Sequence, residues 1–129
     1  MAEQNIGLNT KGLISTNDLS AYQYHFVQVD TVNARSCIIG SSGCEIAGVL
    51  QNKPKAGEMA IIATGPQPKV VAGEAIILGE DIMSGALGVA VASTGTNPIA
   101  GKALTTASAG VQVDGTYEVV QFDSKISGQ

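Results

Sequence analysis

Residues 48–93, GVLQNKPKAGEMAIIATGPQPKVVAGEAIILGEDIMSGALGVAVAS, constrain the fold of this chain more than any other stretch. Four apolar runs, residues 59–63, 70–72, 75–78 and 86–92, are three to seven residues long. That is short for a helix and right for a strand. Pro54, Gly57, Gly65, Pro66, Pro68, Gly73, Gly79, Gly85 and Gly88 sit in and between them. Proline lacks an amide donor and glycine enters positive φ cheaply, so these are turn and corner positions. A helix does not survive that density of breakers. The middle of the chain is therefore expected to be a compact β unit, a small barrel or sandwich.

With 129 residues the chain is expected to form one domain and to bury a core without staples. Hydrophobic residues make up 44% of it, mostly Ala, Val and Ile; aromatics are 4% and Trp is absent. The core is thus expected to use small and β-branched side chains. Seven basic residues stand against eleven acidic ones, a net charge of −4. The densest basic pair is Lys53 and Lys55, which argues against a nucleic-acid partner, since phosphate binding needs clustered cations. So few aromatics also argue against base stacking or a sugar platform. There is no apolar window of about 18 residues and no basic-then-apolar leader, so neither a membrane span nor a signal peptide is expected. Cys37 and Cys44 flank a GSSG turn at residues 40–43 and would face each other across a hairpin. Without a sign of secretion, two reduced thiols are favoured over a disulfide.

Residues 1–20 differ from the remainder of the chain: they are polar, with scattered Ile6, Leu8, Leu13 and Ile14 and no sustained period. They read either as a frayed terminus or as an arm that orders on a partner, with those four aliphatics as anchors. Residues 21–32, AYQYHFVQVDTV, read as a strand with one change of phase, from a bulge or from burial of both faces. Tyr22, Tyr24 and Phe26 either fill the thick part of the core or rim a subunit contact. Strands are also expected at residues 36–39 and 44–50, and at 117–122 after an Asp114-Gly115 hairpin turn. Residues 94–101 read as a loop, and residues 102–109 are ambiguous. Ala56-Gly57-Glu58 and Ala72-Gly73-Glu74 both place a Gly-Glu corner before an apolar run. Residues 79–83 suit one helical turn. The expected architecture is mainly β, a partly open barrel or sandwich with little helix, divided into an N-terminal arm (1–20) and a β domain (21–129).

Catalytic signatures are sparse. His25 is the single histidine and, as a candidate general base, would support a small hydrolase. A lone His in an alternating strand is more often a satisfied core or surface residue. There is no Gly-x-Ser-x-Gly elbow, and GSSG lacks the Lys that a phosphate loop requires. Two cysteines and one histidine do not make a four-ligand zinc site, and no Asp-x-Asp-x-Asp spacing suggests calcium. Glu58, Glu74 and Glu80 read as turn caps. No catalytic, metal or cofactor-binding residue is therefore assigned, and a surface-built function, assembly, is favoured.

Ala47-Gly48-Val49, Ala56-Gly57-Glu58, Val70-Val71-Ala72-Gly73, Ile76, Gly79-Glu80-Asp81-Ile82, Gly88-Val89-Ala90, Ala100-Gly101-Lys102-Ala103-Leu104, Thr106-Ala107-Ser108 and Val119-Val120 together resemble the capsid decoration (head-stabilising, cement) proteins of tailed phages related to the lambda head decoration protein. The resemblance covers about residues 45–122 and lies in Gly/Ala spacing. It implies a partly open β-barrel that forms a homotrimer on the outer surface of the expanded capsid after synthesis in the host cytoplasm. It also implies an N-terminal arm laid against the major capsid protein, for which Ile6, Leu8, Leu13 and Ile14 are the candidate contacts. Another virion β module, such as a tail or fibre-base component, is the alternative.

Overall fold

In a computed structural model of the protein, residues 9–107 and 118–126 are described. Strands β1 (Asn9–Ser15), β2 (Phe26–Val29), β3 (Ser36–Ile39), β4 (Gly48–Leu50) and β5 (Met59–Gly65) close into a barrel in the order β1-β3-β2-β4-β5. A second sheet contains β6 (Lys69–Val71), β7 (Asp81–Ser84), β8 (Ala90–Ala92), β9 (Gly101–Ala103) and β10 (Val119–Ser124), in the order β6-β10-β9-β7-β8. Strand pairing is antiparallel except for a short parallel contact of β1 with β3. Ala72 bridges Ala90, so the outer strands β6 and β8 are drawn together and the second sheet curls toward closure.

β2 and β4 are the wall between the two sheets. Both are buried on both faces over Phe26, Val27 and Gly48–Leu50. Val27 and Leu50 point into the barrel with Ala60 and Ile62. Phe26 and Val49, paired across the wall, point the other way, into a core shared with Val70, Ile82, Val120 and Phe122. The Phe26 and Phe122 rings meet edge to face, with centroids 5.8 Å apart, the arrangement their quadrupoles favour. Such two-sided burial accounts for the change of phase in the sequence at residues 26–29. The barrel interior is narrow: a Cβ on Gly48 would lie 2.2 Å from Ile62 Cγ2.

Two turns share one device. In Lys55-Ala56-Gly57-Glu58 the Glu58 amide donates to the Lys55 carbonyl (2.9 Å), and the Lys55 amide donates back to Glu58 Oε1 (2.7 Å). Ile77-Leu78-Gly79-Glu80 repeats both bonds at 3.0 and 2.7 Å. The third residue is Gly57 or Gly79, at φ 86° and 90°, as a type II turn requires. Each turn delivers a strand, β5 or β7. Glu58 and Glu80 thus cap turns as expected, but the true counterpart of the Gly57 corner is Gly79. Glu74 instead accepts from the Ala92 amide and ties down the β8 edge.

Several expectations are corrected. The arm expected over 1–20 is, from Asn9 onward, part of the barrel: β1 pairs with β5 from Asn9 to Ile14. Leu13 packs on the barrel core, and Ile14 lies opposite Met59. Apolar and polar residues do not alternate there because all of residues 9–12, on both faces of the strand, are exposed. Ile6 and Leu8 lie outside the described residues. The strand expected over 21–32 is confined to Phe26–Val29, because two successive turns occupy residues 19–25: Tyr22 donates to Leu19, and His25 to Tyr22. Tyr24 sits in the left-handed region (φ 67°), its amide on Leu50 and its carbonyl on Val71. Phe26 is fully buried in the core, not at a subunit rim. Cys37 and Cys44 do not face each other across a hairpin, since β3 and β4 both pair with β2; both thiols are free. Residues 81–84 form β7, not a helical turn, with Ile82 and Met83 buried beneath it. β9, residues 101–103, takes the last residue of the expected loop and the first two of the ambiguous stretch. The Asp114-Gly115 turn lies outside the described residues, and the strand expected at 117–122 is found at Val119–Ser124.

Two titratable groups fasten the loops. Asp30 accepts from Thr16 Oγ1 (2.6 Å), Asn33 Nδ2 (2.9 Å) and the Val32 amide (2.8 Å), and these donors hold its carboxyl far below the usual range. His25 Nδ1 lies 2.8 Å from the Leu87 carbonyl, so it carries the proton and donates. Burial lowers the His25 pKa, partly offset by that bond. The contact links the start of β2 to a 3-10 turn, Ala86–Gly88, between β7 and β8. Gly88 permits it: at φ 73° its Cβ would lie 2.3 Å from the Phe26 carbonyl oxygen.

These contacts generate two predictions. Gly88→Ala adds left-handed strain and a backbone clash and should cost more than about 2 kcal/mol. Gly57→Ala carries similar strain with open space around the new methyl, and should cost about 1 kcal/mol. Urea midpoints of the two variants should separate accordingly. On acidification, stability should fall in two steps. The folded pKa of His25 is depressed, so its contribution is complete above about pH 6.5 and is lost as pH drops below that value. Asp30 is depressed likewise; its contribution is complete above about pH 4 and is lost below. His25→Gln should flatten the upper step and Asp30→Asn the lower in urea midpoints measured against pH.

Candidate interaction surface

The outer face of the β1–β5 hairpin-like pair is unusually apolar. Along β5, Met59 and Ile61 point outward while Ala60 and Ile62 point in. Cross-strand pairing sets Ile14 opposite Met59 and Gly12 opposite Ile61. Met59 is 56% exposed, Ile61 44% and Ile14 38%. The Met59 sulfur lies over Gly12, 2.8 Å from where a Cβ would stand, so a larger residue at 12 would displace it. Asn52 flanks the patch by acting as a short strand: its Nδ2 donates to Met59, and its Oδ1 accepts from the Ile61 amide. The patch is thereby held on a rigid backbone.

A second apolar group gathers where the Ile77–Glu80 turn meets the end of β9. Ile77 and Leu78 are 65% and 59% exposed, and Gly79 donates to the Ala103 carbonyl beside Leu104. Scattered exposed aliphatics need no explanation, but clusters on fixed backbone mark contact surfaces. Sequence reasoning left Tyr22, Tyr24 and Phe26 as either the thick part of the core or the rim of a subunit contact. The structure uses Tyr22 to stack edge-on against His25, at 5.3 Å between centroids, and Tyr24 to lean on the core. Met59, Ile61, Ile77 and Leu78 were missed, although the Gly-Glu turns that present them are visible in the sequence.

A groove of about 420 Å³ runs between barrel and second sheet, with Lys11, Val29, Thr31, Glu45, Pro98 and Lys125 among its walls. A smaller depression of about 290 Å³ lies at Tyr24, Gln51 and Pro68. Neither is lined by His25, whose ring serves as a strut between β2 and the Leu87 turn. Burial pushes the Cys37 thiol up to about 11, with the Asp30 charge adding to it, which makes it a poor nucleophile at neutral pH. Among the described residues no three His, Cys, Asp or Glu side chains gather to hold a metal ion. No helix there is long and apolar enough to cross a membrane. What the described surface offers is apolar patches on rigid turns, a groove and strand edges.

No protein-family profile matches the chain, and no curated protein sequence matches it. A solved structure does: the N base of the head fiber protein gp8.5 of bacteriophage phi29 superposes with a TM-score of 0.71. The match covers 92% of this chain and 95% of that one at 15% sequence identity. At that identity the likeness is one of fold: the barrel and curled second sheet are an arrangement this chain shares with the base of a phage head fiber.

Proposed function

We propose that the chain is a structural protein of a phage virion that attaches to the head and acts by binding, not by catalysis. The observation that carries this reading is the likeness of nearly the whole fold to a module at the base of a head fiber. The rest of the structure accords with it. Apolar side chains sit on fixed turns at the surface, and His25 and Cys37 are tied into the fabric. In this reading the protein forms a homotrimer that decorates the expanded capsid through the major capsid protein. Each trimer bridges several shell subunits, so weak contacts add through effective concentration. Because the protein binds the assembled shell and not its separate parts, it stabilises the shell by mass action. Within the trimer, the patch of Ile14, Met59 and Ile61 is the proposed contact between copies.

A second reading is a fibre base, in which the same fold anchors a projecting fibre to the head. It is favoured by the same structural neighbour, whose role is that of a base. The two readings differ in stoichiometry. A decoration protein saturates the shell at many equivalent sites, whereas a fibre base occupies few and carries density outward.

Sedimentation of the purified protein, alone and with expanded shells, tests the proposal. The protein alone should sediment as a trimer, and Met59→Glu with Ile61→Lys should shift it to the monomer without lowering its thermal midpoint. Wild-type protein should pellet with shells and raise their disruption temperature. Deletion of residues 1–8 leaves β1 whole and isolates the arm contribution of Ile6 and Leu8, whereas deletion of 1–20 removes a barrel strand. Shorter-deletion protein that binds as well as wild type would remove the arm from the proposal. Failure of the intact protein to bind any shell or assembled head would remove the proposal itself.

A further inference from the structure

Two residues on the inner face of the barrel are exposed. Lys11 lies two positions before Leu13 on β1 and pairs with the fully buried Ile62, so it stands on the face that Leu13 turns to the barrel core. Val29 lies two positions after Val27 on β2, whose side chain belongs to that core. Yet Lys11 is exposed, and Val29 is 52% exposed. Both line the groove of about 420 Å³, which therefore opens at the mouth of the barrel. The facing wall belongs to the second sheet: Pro98 and Ile99 precede β9, and Lys125 and Ile126 follow β10. Ile46 and Ala47, just ahead of β4, complete the lining, and with Ile126 they are buried.

The groove is thus apolar within and charged at its edge. Its charged residues are Lys11, Lys125 and Glu45, all exposed; two ammonium groups less one carboxylate leave +1, in a chain of net charge −4. Among the described residues neither lysine has a carboxylate within ion-pair distance. Asp30, between Val29 and Thr31, does not line the groove, and its carboxylate is taken up by Thr16, Val32 and Asn33. Ligand cavities are of this size, mostly apolar with a few placed polar groups, and they favour the mouths of β-barrels. An edge of net +1 suits a single negative charge. A dianion or an acidic peptide would bring more charge than the two lysines offset and would meet Glu45. At about 30 Å³ for each water-sized group, the volume holds about fourteen such groups.

We propose that this groove binds a small amphipathic carboxylate, an acyl chain of about a dozen carbons with one anionic head. The chain lies against Val29, Ile46 and Ile126, and the head sits between Lys11 and Lys125. Because the walls come from the barrel and from the second sheet, the ligand fastens one to the other and stabilises the folded protein by mass action. The site is independent of the head-surface reading. It also lies on the opposite face of β1 and β5 from the Ile14, Met59 and Ile61 patch.

Dodecanoate is the probe, and dodecyltrimethylammonium, with the same chain and the opposite charge, is the control; both are kept below their micelle concentrations. Dodecanoate should shift the methyl resonances of Val29, Ile46 and Ile126. At a hundred times its dissociation constant it should raise the thermal midpoint by about 10 °C. The ammonium control should bind about tenfold more weakly or worse. Lys11→Gln with Lys125→Gln should weaken dodecanoate about tenfold and remove most of the salt dependence of its binding. Val29→Glu, at an exposed position, should abolish binding, whereas Met59→Glu with Ile61→Lys should leave the affinity unchanged. Should a groove variant fail to fold, the methyl shifts of wild type and the ammonium control decide. Absence of dodecanoate binding, equal binding of the ammonium control, undiminished binding by the folded lysine variant, or methyl shifts confined to Ile14, Met59 and Ile61 would each overturn the site. Binding to shells is measured separately and stands or falls without it.

Discussion

The burial of β2 and β4 on both faces is the constraint on which the rest of the structure depends. A short strand that is wall to two cores must be apolar at consecutive positions, so Phe26-Val27 and Val49-Leu50 are fully buried pairs. Phe26 then reaches Phe122 across the junction, within a core that both sheets share. Everything near the wall is thin. Gly48 leaves room for Ile62, Gly88 for the Phe26 backbone, and Gly40 for Phe26 and Ser84. A barrel of five strands has little interior to fill, which explains why a chain so poor in aromatics packs well. The hydrophobic side chains that remain are therefore free to face outward.

The sequence made the class of the fold legible because Gly and Pro punctuation is a local property. Gly57 and Gly79 need positive φ whatever surrounds them, and Pro54, Pro66 and Pro68 interrupt any helix. What could not be read was long-range. Alternation of Tyr22, Tyr24 and Phe26 looks like a strand, yet two tight turns consume the first half of it. Only the distant Leu50 and Val71 backbone groups, which hold Tyr24 in the left-handed region, make that path stable. Similarly, β1 lacks a hydrophobic pattern because residues 9–12 are exposed on both faces and its partner β5 lies far along the chain, with Gly12 set against Ile61 and Leu13 against Ala60. A strand recruited by pairing shows little in its own composition.

The same distinction applies to the surface. The Gly-Glu corners were visible, but their role was not. Glu58 and Glu80 close their turns with side chain and backbone together, so Met59, and Ile77 with Leu78, project from stiff supports. Aromatic content pointed elsewhere, toward residues the core had already claimed. Sequence composition ranks residues by what they can do; only packing shows which of them are still available.

Such a fold places different demands on its interior and on its surface. The interior tolerates little change, since several glycines sit within contact distance of opposing backbone. The surface patches are held by turn geometry, by backbone pairing and by the Asn52, Glu58 and Glu80 side chains bonded to backbone. A molecule built this way can drift widely in sequence while keeping its wall and its corners. The physical requirement is only that glycine stays where the backbone is crowded or left-handed, and that small apolar residues fill the space between two closely packed sheets.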